Sequence, residues 1–172
     1  VEVHAAEECA AHAVVSEERR LLQRGAQGGA RDRARALRGE GRAAGAGRTR
    51  RAAMADAEGF IPVYPQGLSL PSDPNCPVWN SVGPYSSGVD DIAYTEAVLD
   101  DLIATYNVDQ SRVYACGYSN GANICWELAC YLSDRIAAIG PVAGSMWEWT
   151  QTSCTPTRAV PVVSIHGTLD SY

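Results

Sequence analysis

Lysine is absent from this chain of 172 residues, phenylalanine occurs once and methionine twice. The 14 basic side chains are therefore all arginine, and 20 acids outnumber them to leave a net charge of -6. No global basic field draws such a chain to nucleic acid. Uninterrupted apolar runs stop after a handful of residues, far short of the roughly 20 that cross a bilayer, so no membrane partner is expected. The six cysteines include no CxxC pair, which argues against structural zinc and against any metal site. Internal repeats and heptads are missing too. At one domain per roughly 150 residues, the chain has room for one mid-sized core.

The shortages are uneven. Residues 1–52 hold no Phe, Tyr, Trp, Ile, Asn, Lys or Pro, and carry 11 Arg against seven acids, 11 - 7 = +4. The remaining 120 residues carry 3 - 13 = -10. Three readings compete for the first segment: a basic arm, a solvated helix or linker, and a stretch foreign to the domain. The residues favour the last. Amino acids of AT-rich codons are missing while Ala, Arg and Gly dominate, as a GC-rich gene read out of frame would give. Interspersed Glu and the lack of Lys or aromatics weaken the polyanion-binding reading. Residues 1–52 are accordingly set aside from the fold as disordered or out of frame. The chain opens at Val1 with no apolar stretch of a signal peptide, so none is expected within it.

In residues 53–172, Phe60 to Pro65 reads as a short buried strand, followed by a Gly, Pro, Ser and Asn loop to about Gly88. Asp90 to Tyr106 sets Ile92, Val98, Leu99, Leu102, Ile103 and Tyr106 at helical spacing, with Asp90 and Asp91 where the helix dipole favours anions. Arg112 to Cys116 is a second strand. After Gly117 to Gly121, residues Ala122 to Leu132 form a second amphipathic helix. Ile136 to Val142 and Val160 to Ile165 read as further buried parallel strands. Strands alternating with helices predict an α/β fold: a mostly parallel sheet with helices on both faces and right-handed crossovers.

Between the second strand and second helix stands Gly117-Tyr118-Ser119-Asn120-Gly121, a GxSxG sequence in the context that gives it meaning. A serine on a sharp strand-to-helix turn projects its hydroxyl from the carboxyl edge of the sheet. Gly117 and Gly121 leave room for the close approach of strand and helix. The Asn120 N–H, at the start of the helix, points to where an oxyanion forms. The bland alternative makes the glycines a tight turn and Ser119 a helix cap. Nucleotide binding fails, since Ala115 stands where GxGxxG needs its first glycine and no P-loop lysine follows, so no cofactor is expected.

An elbow serine needs an acid and a base, in the chain order Ser, Asp or Glu, His. Asp170, after the strand Val160 to Ile165, fits the acid that fixes the imidazole tautomer; a solvated turn carboxylate is the alternative. No histidine follows it. His166 precedes Asp170 by four residues and reads as a packed or turn-bonded side chain, and His4 and His12 lie in the segment set aside. None is assigned as the base.

The segments Gly117-Tyr-Ser-Asn-Gly-Ala122, Ser133 to Gly144, Val160 to Asp170, Asp56 to Pro65 and Tyr106 to Ala115 together resemble the polyhydroxybutyrate depolymerase and feruloyl esterase family of α/β-hydrolases. The similarity covers roughly residues 53–172, read as a partial domain of that fold. It implies Ser119 as nucleophile, Asp170 as triad acid, and a secreted, extracellular esterase acting on polymeric or cell-wall esters. It also implies an upstream His-Gly strand supplying a second oxyanion N–H, which residues 1–52 do not match, and a catalytic histidine beyond Tyr172. A serine peptidase or acyltransferase on the same elbow is the nearest chemical rival. A truncated product that keeps the elbow without a working triad is the non-catalytic one.

Cys125 lies on the apolar stripe of the second helix and Cys130 about 140° round from it. Cys130 is expected to pair with Cys154, with two buried thiols as the alternative; a bridge would place the chain in an oxidising compartment. Cys116 reads as strand core and Cys76 as a loop residue. Trp147 and Trp149 follow the strand ending near Val142, on the edge where such sheets bind ligands; a hydrophobic or aromatic acyl group stacks there or, on the bland reading, they are loop packing. Trp79 is read as a loop residue in the same way.

Overall fold

The computed structural model describes residues 11–17, 53–65, 67–70, 73–81 and 89–170. The elements in chain order are β1 (Ala11–Glu17), β2 (Phe60–Val63), β3 (Leu68–Leu70), β4 (Asp73–Val78), helix α1 (Asp91–Thr105), β5 (Val108–Tyr118), helix α2 (Asn120–Tyr131), β6 (Ala138–Val142) and helix α3 (Glu148–Ser153). Residues 53–58 add a short helical stretch before β2. The main sheet has four strands in the order β2-β1-β5-β6.

Strand β1 is antiparallel to both of its neighbours, so β2 and β5 run the same way. β6 is parallel to β5, with Tyr114 opposite Ala138 and Tyr118 opposite Val142. The segment Val160 to Ile165, expected as a full strand, joins the far side of β6 through two isolated parallel bridges, Ile139 to Val162 and Val142 to Ile165. The sheet is thus mixed: β2, β5 and β6 run one way and β1 runs against them, and with helices following β4, β5 and β6 the class is α/β.

Three expectations need correcting. Strand β1 falls in the segment set aside from the fold, yet it occupies the place between β2 and β5. Averaged composition hid it: a seven-residue strand needs only a short run with β-branched residues such as Val14 and Val15, and its backbone pairs whatever the segment around it contains. The loop after β2 contains a two-stranded antiparallel hairpin, β3 with β4. Pro74 and Pro77 obscured β4, because proline is tolerated only on strand edges, which a two-stranded ribbon consists of. Residues 82–88 of that loop, like His4 and Cys9, lie outside the described residues.

The third correction concerns the helices. Helices α1 and α2 cover the same face of the sheet. Leu99 and Leu102 of α1, Ile124 and Leu128 of α2, and Val113 and Ala115 of β5 share one buried cluster, completed by Ile136 and Ile139. Tyr114 and Cys116, which alternate with Val113 and Ala115, are only half-buried. The physical reason is directional. The chain passes from β2 to β5 to β6 to residues 160–165 always in one sense across the sheet, and right-handed crossovers of one sense put α1 and α2 on the same side.

Helix α1 begins at an Asp90 cap whose carboxylate accepts from the Ala93 N–H at 2.8 Å, a bond of the kind that stabilises a helix start by about 1 kcal/mol. The expected bridge between Cys130 and Cys154 is present, with Cα atoms 5.5 Å apart. It ties the end of α2 to the residue after α3. Cys125 is buried and Cys116 half-buried, and neither takes part in a disulfide. Replacing Cys130 and Cys154 together by serine is expected to cost about 3 kcal/mol, from the loop-closure entropy returned to the unfolded chain, and urea unfolding with and without the pair measures it.

Candidate active site

The junction of β5 and α2 is a strained turn. Ser119 has φ 53° and ψ -121°, one of two non-glycine residues among those described with positive φ. A backbone in that region costs of order 1–3 kcal/mol and persists only where its surroundings hold it. Here the Ser119 N–H donates to the Val142 carbonyl at 3.0 Å, and the Ser119 carbonyl accepts from Ala122 and Asn123 at 2.8 and 3.1 Å. Its side chain makes no cap bond to the helix. The capping alternative therefore fails, and the half-buried hydroxyl is left to the carboxyl edge of the sheet.

Gly117 is required by space. A Cβ there would fall on the carbonyl of Gly121, the paired glycine of the motif, inside any allowed contact. Asn120 is the first residue of α2. Its N–H is one of the four at a helix start that have no intrahelical acceptor, and the positive end of the helix dipole lies there.

The next two steps across the sheet bring their own residues to the same edge. After β6 the chain turns at Ala143, φ 49°, whose N–H donates to the Ile165 carbonyl at 2.8 Å. A Cβ on Gly144 would stand 2.6 Å from the Ser119 carbonyl oxygen and 2.7 Å from the Ala122 Cβ, so this turn presses directly on the elbow. The Trp126 indole N–H holds it from α2 by donating to the Gly144 carbonyl at 3.2 Å. Beyond lie Trp147 and Trp149, 46% and 45% exposed.

His166 and Asp170 stand one strand further on, so at about 4.8 Å per strand their backbone begins roughly 10 Å from the elbow. His166 Nε2 lies 3.4 Å from Asp170 Oδ2. The histidine is thus held by Asp170 itself, as its reading as a turn-bonded side chain implies. The backbone of His12 in β1 is level with Cys116 of β5.

Sequence reasoning missed a polar layer under the elbow helix. Asp91, placed by sequence in the first turn as a partner for the dipole, is 5% exposed and accepts from the Asn80 N–H at 2.7 Å. Burial pushes its carboxyl above the usual range, against the lowering effect of the Asn80 bond, with the Asp90 charge raising it further. Glu127 of α2 is 6% exposed and is pushed up to about 7, chiefly by burial and also by the Asp91 charge, while its bond from Thr150 acts the other way. That bond, from the Thr150 hydroxyl, is 3.3 Å long. The signal was available: Asn120 and Glu127 are two helical turns apart and share a face with Asn123.

A carboxyl with a raised folded-state pKa favours folding while protonated. Its contribution is fully present below the ordinary value of 4.5 and is lost as pH rises toward about 7. Glu127→Gln is therefore expected to flatten much of the fall in stability over that window and to leave the chain about 3 kcal/mol more stable at pH 8. Urea unfolding of both proteins at pH 5 and pH 8 checks it.

No protein-family model matches the chain. Comparison with curated proteins gives named relatives. Over 117 residues, 68% of the chain, it is 30% identical to a bifunctional acetylxylan esterase/xylanase of Neocallimastix patriciarum. Over 125 residues, 72% of the chain, it is 31% identical to feruloyl esterase B of Piromyces equi. A poly(3-hydroxyalkanoate) depolymerase C of Paucimonas lemoignei is 29% identical over 96 residues, 56% of the chain and 23% of that protein. The chain's relatives are the feruloyl esterase and polyhydroxyalkanoate depolymerase family. The resemblance drawn from the elbow and its flanking segments is thereby shown. The chain spans 16% of the length of the first of these proteins and 22% of the second.

Proposed function

We propose that the chain carries the nucleophile elbow of a serine carboxylic-ester hydrolase with the α/β-hydrolase fold. The observation that carries this reading is Ser119: strained backbone, strand before, helix after, and a hydroxyl not used as a cap. In the reaction the Ser119 Oγ attacks the ester carbonyl carbon while the catalytic histidine, which the family resemblance places beyond Tyr172 and which is not His166, takes its proton. The negative charge moves to the carbonyl oxygen, facing the Asn120 N–H. Collapse expels the alcohol, which receives the proton from the imidazolium, and water then releases the acid from the acyl-enzyme by the same two steps. Asp170 orients the histidine and offsets its positive charge. No metal or organic cofactor takes part.

The substrates proposed are polymeric or cell-wall esters. The names of the relatives support this, since they act on acetylxylan, feruloyl and polyhydroxyalkanoate esters. The disulfide and those relatives support an extracellular location. Treatment with a fluorophosphonate probe, followed by mass mapping of the labelled peptide, tests the reading. Label on Ser119 is expected, and a folded chain that takes none overturns it. Turnover of model esters but not of the matching amides separates hydrolysis of esters from a peptidase built on the same elbow.

A further inference from the structure

The elbow is tied to a second part of the molecule by one side chain that the reaction as described does not use. The Asn120 Oδ1 accepts from the Trp79 N–H at 2.7 Å. Its Nδ2 donates to the Trp79 carbonyl at 3.1 Å and to the Ser81 hydroxyl at 2.9 Å. The amide thus pairs with both backbone groups of one residue, as a neighbouring strand would, and gains a third partner. Trp79 and Ser81 are 2% and 0% exposed and Asn120 is half-buried, so the strap's side of these part-buried bonds is shielded from water, where an unmade partner is costly.

The segment held in this way is fixed at its other side as well. The Asn80 N–H donates to Asp91 and the Asn80 Nδ2 to the Val89 carbonyl, both bonds at the start of α1. Residues 79–81 therefore form a strap from the N-terminus of α1 to the N-terminus of α2, held at the elbow by the three hydrogen bonds of the Asn120 side chain, while the Trp79 ring packs in the buried cluster with Ile124 and Leu128 of α2. The backbone N–H of that same Asn120 is the proposed oxyanion donor. Two other anchors fix Ser119, through Val142 on one side and the first turn of α2 on the other.

We infer that the Asn120 side chain is a positioning residue, which locks the Ser119–Asn120 peptide so that its N–H faces the developing oxyanion. The inference rests on the reading of Ser119 as the nucleophile. Its chemical content is that the strap acts on the tetrahedral state and leaves substrate binding alone. Misplacement of a reacting group or donor by about 1 Å costs on the order of a hundredfold in rate.

Three variants test it: Asn120→Ala removes all three bonds, Asn120→Asp keeps the acceptor for the Trp79 N–H but loses both donors, and Ser81→Ala removes one bond. Each is measured for kcat and KM on a soluble ester, for affinity toward an alkyl boronic acid that forms a tetrahedral adduct on Ser119, and for thermal melting. Asn120→Ala is expected to lower kcat and boronate affinity in step by about 30- to 100-fold with KM within about twofold. Asn120→Asp is expected to fall between this and the roughly threefold effect of Ser81→Ala. A merely structural role would lower melting without a parallel loss of boronate affinity in the folded protein, and that result overturns the inference. Unchanged kcat in all three variants overturns it too. A folded parent chain that takes neither ester nor boronate overturns the nucleophile reading first and this inference with it. If Asn120→Ala fails to fold, the graded pair of Asn120→Asp and Ser81→Ala carries the test.

Discussion

Ser119→Ala is expected to lower ester turnover by about 10⁴-fold or more while KM stays within about twofold. The asymmetry follows from what the hydroxyl does. It forms a bond only along the reaction path, so its removal takes stabilisation from the transition state and little from the bound substrate. The structure makes this substitution unusually clean to interpret. The Ser119 hydroxyl makes no cap bond, so alanine forfeits no capping energy, and the bonds that fix the turn are made by backbone atoms that alanine retains. Stability is expected to change by less than about 1 kcal/mol. Steady-state kinetics beside thermal melting checks both halves; a loss of activity accompanied by a large loss of stability would show that the serine acts through the fold.

Gly117→Ala is expected to be severely destabilising. The added Cβ would coincide with the backbone carbonyl of Gly121. No side chain can swing away to make room, because the obstacle is the first turn of α2 itself. Either β5 and α2 separate or the turn rebuilds, and both outcomes expose part of the cluster that includes Val113, Ala115, Ile124 and Leu128. A loss above about 4 kcal/mol is expected, at the exceptional end for a point substitution, with loss of probe labelling at Ser119. Gly140→Ala is the control. Its Cβ would meet the Cys116 Cβ at 3.4 Å and the Val163 carbonyl oxygen at 4.0 Å, contacts of ordinary length. A change of less than about 1 kcal/mol is expected there, read by the same urea unfolding experiment.

The elements that local signals specify were legible in the sequence. Helix α1 follows from its apolar spacing and its aspartate cap, and its observed start and end lie within one residue of those expected. The elbow was legible because GxSxG carries its own context: a β-rich run before it and an amphipathic run after. The Cys130–Cys154 pairing was open on sequence alone, since two buried thiols fitted the same positions. The bond became definite only when α3 placed Cys154 beside the end of α2.

What stayed hidden was whatever depends on residues far apart in the chain. Nothing in Trp79-Asn80-Ser81 marks it as a strap, because its function lies in bonds to Asn120, some forty positions later. Strand β1 was hidden for a related reason: its pairing to β2 and β5 is a property of the sheet, and the composition around it pointed elsewhere. The raised carboxyls of Asp91 and Glu127 arise from burial, which a sequence does not display.

By itself, then, the sequence determined the periodicities, the glycine-flanked serine and the α/β class, because these rest on contacts between neighbours within a few residues. The tertiary structure decided the rest. It set α1 and α2 on one face of the sheet, since the chain crosses from β2 to β5 to β6 in one direction. It brought Ser119, Gly144 and His166 to a single edge, because parallel strands in register end together. It also gave the elbow its anchor, since only the packing of two helix starts against one strap brings the Asn120 amide within bonding distance of Trp79 and Ser81.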